Sequence, residues 1–132
     1  MRPERRAPGP RGLAAALAVL LAAVGACSRG SSESATRWTG GDPDRGRTAI
    51  RRVGCSSCHT IPGVPGADGL VGPPLTHIAS RSYIAGNLTN TPEHLKAFIA
   101  KPHGAGPRIA MPDMGLSDPD LADITAYLYT LR

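Results

Sequence analysis

Cys55-Ser56-Ser57-Cys58-His59 is the stretch on which the reading of this chain turns. Two thiols three residues apart can each form a thioether to one of the two vinyl groups of a single haem. The histidine that follows directly then lies beneath the ring, where its imidazole can ligate iron. The two serines between the thiols are small, so the backbone can lie against the porphyrin edge. The same letters admit two other readings. A C-x-x-C redox pair wants a βαβ context, which the flanking pattern lacks. A structural zinc site wants four ligands, usually from a second Cys or His pair at short spacing. His77, His94 and His103 are scattered, and no second C-x-x-C exists.

Outward from this motif, three helices are predicted. The first opens at Asp42 as N-cap with Pro43 at the first helical position, and Gly46, Ile50 and Val53 follow at helical spacing. The second opens at Thr91 with Pro92 and Glu93 in its first turn. It carries Leu95, Phe98 and Ile99 on one face and stops at Pro102. The third opens at Ser117, with Asp120 three residues on as an approximate capping box, and its stripe is Leu121, Ile124, Leu128 and Leu131 with Tyr127 beside it. Residues 60–91 between the first two helices are rich in Gly, Pro, Thr and Asn and show no strand pattern. A loop of that length makes sense in a compact domain only if it packs on something other than the helices.

Composition points the same way. The 132 residues include 16 Gly, 13 Pro and only five aromatics: Trp38, Tyr83, Phe98, Tyr127 and Tyr129. So small a domain with so little aromatic material needs a staple such as a disulfide, a metal or a cofactor. Three cysteines, one of them the isolated Cys27, do not make a disulfide framework. The formal charge of +5 is concentrated at the start of the chain, where Arg2, Arg5, Arg6 and Arg11 precede the apolar run. The rest is nearly balanced, so no basic face for nucleic acid is expected.

The folded part resembles the small monohaem class I c-type cytochromes. GDPDRGRTAIRRVGCSSCH (41–59) is similar to that family's N-terminal helix running into its attachment site. Gly72-Pro73-Pro74-Leu75 matches the loop that follows it. TPEHLKAFIAKP (91–102), Ala110-Met111-Pro112 and LADITAYLYTLR (121–132) match the next helix, the sixth-ligand segment and the C-terminal helix. The resemblance implies an all-α cytochrome c domain over 41–132, with three main helices and long loops wrapped around one covalent haem c. It implies that the Pro73 carbonyl accepts the second ring N–H of His59, and that Arg81 pairs with a haem propionate. Tyr83 is placed to add a phenolic hydrogen bond there, and Asn90 stands where many relatives carry a tryptophan near that group. The terminal helices are implied to cross at Gly46 against Tyr127, with Ile50 and Ile124 beside them.

The sixth iron ligand must come from the opposite face of the ring. By resemblance it is Met111, nine residues past Pro102 and followed by Pro112. Met114 is the alternative within the same Met-Pro-Asp-Met segment, and His103, His77 and His94 are further candidates. His59 and a methionine sulfur together would leave no open position on iron. The expectation is therefore an electron carrier rather than an enzyme. The resemblance suggests a quinol-oxidising complex as donor and a terminal oxidase as acceptor. A haem enzyme or gas-binding module with a labile sixth ligand is the alternative, and so is a fixed cytochrome subunit of an oxidoreductase complex.

The N-terminal region reads as an export signal. Residues 13–26 are apolar or Gly behind a basic segment, and a run of 14 is short of the about 20 residues that span a bilayer. Val24-Gly25-Ala26-Cys27 resembles a bacterial lipobox. The expectations are a signal peptide over 1–26, lipidation of Cys27, a flexible tether over 27–40, and a protein held by its lipid on the periplasmic or extracytoplasmic side of a membrane.

Overall fold

The computed structural model describes residues 30–106 and 109–132. Ser32–Arg132 form one compact unit. Helix α1 covers the described residues 30–39. It is followed by α2 (Pro43–Val53), α3 (Pro92–Ala100) and α4 (Asp118–Thr130), with 3₁₀ turns at Cys55–Ser57, Ile78–Ser80 and Pro102–Ala105. Strands β1 (Tyr83–Ile84) and β2 (Leu88–Thr89) pair antiparallel, Tyr83 opposite Thr89 and Ile84 opposite Leu88.

The helix starts follow from their caps. The Asp42 carboxylate accepts from the N–H groups of Asp44 and Arg45, the Thr91 hydroxyl from His94, and the Ser117 hydroxyl from Asp120. Each satisfies donors that a first turn leaves without partners. Gly54 ends α2 in the left-handed conformation (φ 86°), which glycine adopts without a Cβ clash, and its N–H bonds the Ile50 carbonyl. This turn aims the chain directly into Cys55.

Helix α4 is the centre of the molecule. It packs against α2, α3 and the Ile78–Ser80 turn, and residues 123–129 are buried without interruption. Its burial is therefore wider than the predicted stripe and takes in Thr125 and Ala126. Helices α2 and α4 cross backbone to backbone. A Cβ on Gly46 would overlap the carbonyl oxygen of Asp123 and lie 3.0 Å from Tyr127 Cβ, and one on Gly41 would overlap the Ala122 carbonyl. An ion pair fixes this crossing: Arg45 Nε and Nη2 donate to Asp123 at 2.7 and 2.9 Å, and the Asp42 N–H donates to the same carboxylate at 2.7 Å. Arg45 holds Asp123 below the usual carboxylate range, burial opposes this, and the Asp42 N–H adds to the lowering.

Two expectations need correction. Residues 30–39, within the expected flexible tether, are helical, because Ala35 is buried in the common core and the Arg132 guanidinium lies 5.0 Å above the Trp38 ring. Tertiary contact, not an apolar stripe, supports this helix. The segment 60–91 is not without structure either. It holds the β1–β2 hairpin, the Ile78–Ser80 turn and an antiparallel bridge between Thr60 and Asp68. Two-residue strands are too short to show alternation. Ile61, Val64, Ala67, Ile78 and Ile84 from this segment belong to the core. Among the described residues no helix is long and apolar enough to cross a membrane. Cys27 and the export signal lie outside the described residues.

Candidate functional site

Cys55 begins a 3₁₀ turn directly after Gly54. The N–H groups of Cys58 and His59 both bond the Cys55 carbonyl, at 3.2 and 3.0 Å. Both thiols are free and half-buried. Burial pushes the Cys55 thiol above its ordinary value, the opposite of the lowered thiol pKa on which a C-x-x-C redox pair depends. Among the described residues no group of three or more His, Cys, Asp or Glu could hold a metal ion, so a protein-only zinc site is not assembled there.

His59 Nδ1 lies 2.7 Å from the Pro73 carbonyl oxygen. A carbonyl can only accept, so Nδ1 is the donor, and in the neutral ring Nε2 is then the nitrogen with the lone pair, the form of imidazole that ligates a metal. The loop that supplies Pro73 is pressed onto the motif by two glycines. A Cβ on Gly72 would overlap His59 Cε1, with Nδ1 at 2.7 Å, and a Cβ on Gly69 would stand 2.7 Å from the Cys58 nitrogen. The Gly72 N–H bonds the Cys58 carbonyl at 2.8 Å and the Leu75 N–H bonds the Thr60 carbonyl at 2.9 Å. Between the glycines, Leu70 and Val71 are 89% and 82% exposed, an apolar pair with no protein cover. Two free thiols, an oriented imidazole and uncovered apolar side chains on the adjoining loop fit a planar apolar group attached through sulfur and ligated through nitrogen.

The other expected residues are placed as follows. Arg81 Nη2 donates to the Pro74 carbonyl and, at 2.9 Å, to the Thr76 carbonyl, bracing the loop that carries Pro73. Tyr83 is 61% exposed on β1. Met111 is half-buried against the core, while Met114 is half-buried without joining it. His77, His94 and His103 are exposed. His94 Nδ1 lies 2.9 Å from the Thr89 carbonyl, and His77 takes a left-handed backbone (φ 53°) ahead of the Ile78–Ser80 turn.

A family model described as cytochrome C oxidase, cbb3-type, subunit III, matches residues 41–128. The chain belongs to this family of c-type cytochromes. Cytochrome c oxidase subunit 2 of Alkalihalophilus pseudofirmus is 32% identical over 90 residues, which are 67% of this chain and 25% of that protein. The chain thus spans about a quarter of the length of that relative. No solved structure matches it. Membership of a c-type cytochrome family implies haem c as the cofactor, and the matched region contains the motif, the Pro73 loop and Met111.

Sequence reasoning missed two polar groups in this cytochrome. Asn90, noted only for standing in place of a tryptophan, donates through Nδ2 to the carbonyls of Ile78 (2.7 Å) and Arg81 (2.9 Å) and accepts from the Tyr129 hydroxyl (3.2 Å). The Tyr127 hydroxyl donates to the Pro62 carbonyl at 2.6 Å, just past the motif. Nothing in the spacing of either residue signals its partner. The one available signal was a polar group on buried helix or loop positions, which must find partners.

Proposed function

We propose that this cytochrome carries single electrons through one haem c that would be attached at Cys55 and Cys58 and held at its iron by His59 and Met111. The observation that carries the reading is the His59–Pro73 pair beside two free thiols, which presents Nε2 as a ligand at the attachment motif. Haem c, when bound, supplies the Fe(III)/Fe(II) couple. The chain's own part would be to hold the imidazole in one tautomer, to offer Leu70 and Val71 as apolar cover, and to supply the Met111 thioether, a ligand pair that raises the potential relative to two histidines. With His59 and Met111 both holding the iron, no position would be left for a substrate, and the protein would act as a carrier rather than an enzyme. Arg81 and Tyr83 are the proposed contacts of the haem propionates.

A terminal oxidase is the proposed acceptor, supported by the oxidase-subunit descriptions of the family and of the relative, and a quinol-oxidising complex the proposed donor. The same descriptions favour a second reading, in which the cytochrome is a fixed subunit of an oxidase complex. Co-purification with the oxidase in mild detergent separates the two. Export, lipidation at Cys27 and residence on the extracytoplasmic face complete the proposal.

Two measurements test it. The Cys55→Ser, Cys58→Ser double variant is expected to lose the haem-stained band on a denaturing gel. A persisting band overturns covalent attachment at this motif. The near-infrared sulfur-to-iron band of the oxidised protein is expected to vanish in Met111→Ala and to persist in Met114→Ala. The reverse pattern moves the ligand to Met114. A wild-type protein without the band favours the enzyme or gas-binding alternative.

A further inference from the structure

Pro73 and Pro74 have no N–H, so the stretch that faces His59 cannot be anchored by its own amides. Gly72 and Leu75 tie its flanks to the motif, and on the far side, among the described residues, Arg81 Nη2 holds it through the Pro74 and Thr76 carbonyls. A guanidinium on a long side chain positions a loop only if its own backbone is fixed. Asn90 fixes it. Its Nδ2 group holds the carbonyls of Ile78 and Arg81, and its N–H bonds the Ser82 carbonyl at 3.0 Å. The remaining amide oxygen accepts from Tyr129, which is buried on α4. Two carbonyl partners require the amide nitrogen to face them, and the tyrosine hydroxyl then meets the oxygen, so the amide has one orientation and all three of these bonds are satisfied.

We propose that Asn90, locked by Tyr129, is a positioning residue for His59: it sets the base from which Arg81 holds the Pro73 loop, and so sets the strength of the His59 N–H···O=C bond. This rests on the reading of His59 as an iron ligand. A strong bond from Nδ1–H to a carbonyl makes the imidazole a better donor and favours Fe(III). Weakening it shifts the balance toward Fe(II) and raises the potential.

The test compares three variants of the haem-loaded protein: Asn90→Ala, Tyr129→Phe, and Tyr127→Phe as a control. The control also removes a tyrosine hydroxyl of α4, but one bonded to Pro62 outside this chain of contacts. The readouts are the solvent exchange of the His59 ring N–H by NMR and the midpoint potential. In Asn90→Ala the exchange is expected to quicken roughly tenfold, the equivalent of one lost hydrogen bond, and the potential to rise. Tyr129→Phe should move both readouts in the same direction by less, and Tyr127→Phe should lower stability and move neither. If Asn90→Ala does not fold, the Tyr129→Phe and Tyr127→Phe pair decides. Asn90 and Tyr129 variants that match the Tyr127 control overturn the positioning role while leaving the carrier reading intact. A wild-type protein without a haem spectrum overturns both.

Discussion

A methyl group on residue 72 would overlap the His59 imidazole, with ring Nδ1 at 2.7 Å. Gly72→Ala must therefore push the ring away from the Pro73 carbonyl or lift the loop from the motif, and either change breaks the 2.7 Å contact that fixes the tautomer. The variant is expected to accumulate several-fold less haem-loaded protein. The fraction that loads should show an altered ligand-field spectrum in optical titration, whereas a normal yield and spectrum would mean that the loop yields freely. At this scale much of the site was legible. Cys55, Cys58 and the adjacent His59 are tied to one another by local spacing and chemistry, whereas the Pro73 carbonyl was implied by the family resemblance and by no spacing within the motif. Asn90 was not legible, because its side-chain partners come from two separate stretches, the turn at residues 78–81 and Tyr129 on α4, and no spacing within one segment encodes such a meeting.

At the scale of elements, the crossing of α2 and α4 carries the domain. Gly46→Ala places a Cβ onto the Asp123 carbonyl, a clash with backbone that no rotamer relieves. It is expected to cost about 3 kcal/mol, measurable as a lowered urea midpoint. The neighbouring ion pair adds a dependence on pH. Asp123 titrates lower in the folded chain than in the unfolded one, where a carboxylate of this type sits near about 3.9. Its contribution is therefore fully present above that value and is lost as pH falls through the folded value. In Asp123→Asn an amide N–H must face an N–H of Arg45 or Asp42, so the variant is expected to be less stable than wild type at neutral pH. The gap should close on acidification below about pH 4. A gap that stays constant from pH 7 to pH 3 would rule out the carboxylate as its source. Helices α2, α3 and α4 were legible because caps, prolines and apolar spacing agree within each. Helix α1 and the hairpin were not, since one buried alanine among polar residues and strands of two residues leave no periodic trace.

Among the described residues the core is mostly helical, and loop residues Ile61, Val64 and Ala67 join it beside Ile50 and Ile124. That is how a chain with one phenylalanine keeps a common interior. Helix α1 joins this interior through Ala35 and meets the C-terminus through Trp38 and Arg132, so the packed residues include some that precede residue 41. If Cys27 carries a diacylglyceryl group, that group would be the membrane anchor. Two acyl chains give stable anchoring at about 0.8 kcal/mol per buried CH₂, and among the described residues no helix offers a competing span. Cys27→Ser is therefore expected to move the protein from the membrane fraction to the soluble extracytoplasmic fraction with its haem spectrum unchanged, as read by fractionation and haem staining. Retention in membranes with an unprocessed N-terminus, seen by intact mass, would transfer the anchor to the apolar run at residues 13–26. Retention after processing would instead point to capture by a membrane-bound complex, the fixed-subunit reading.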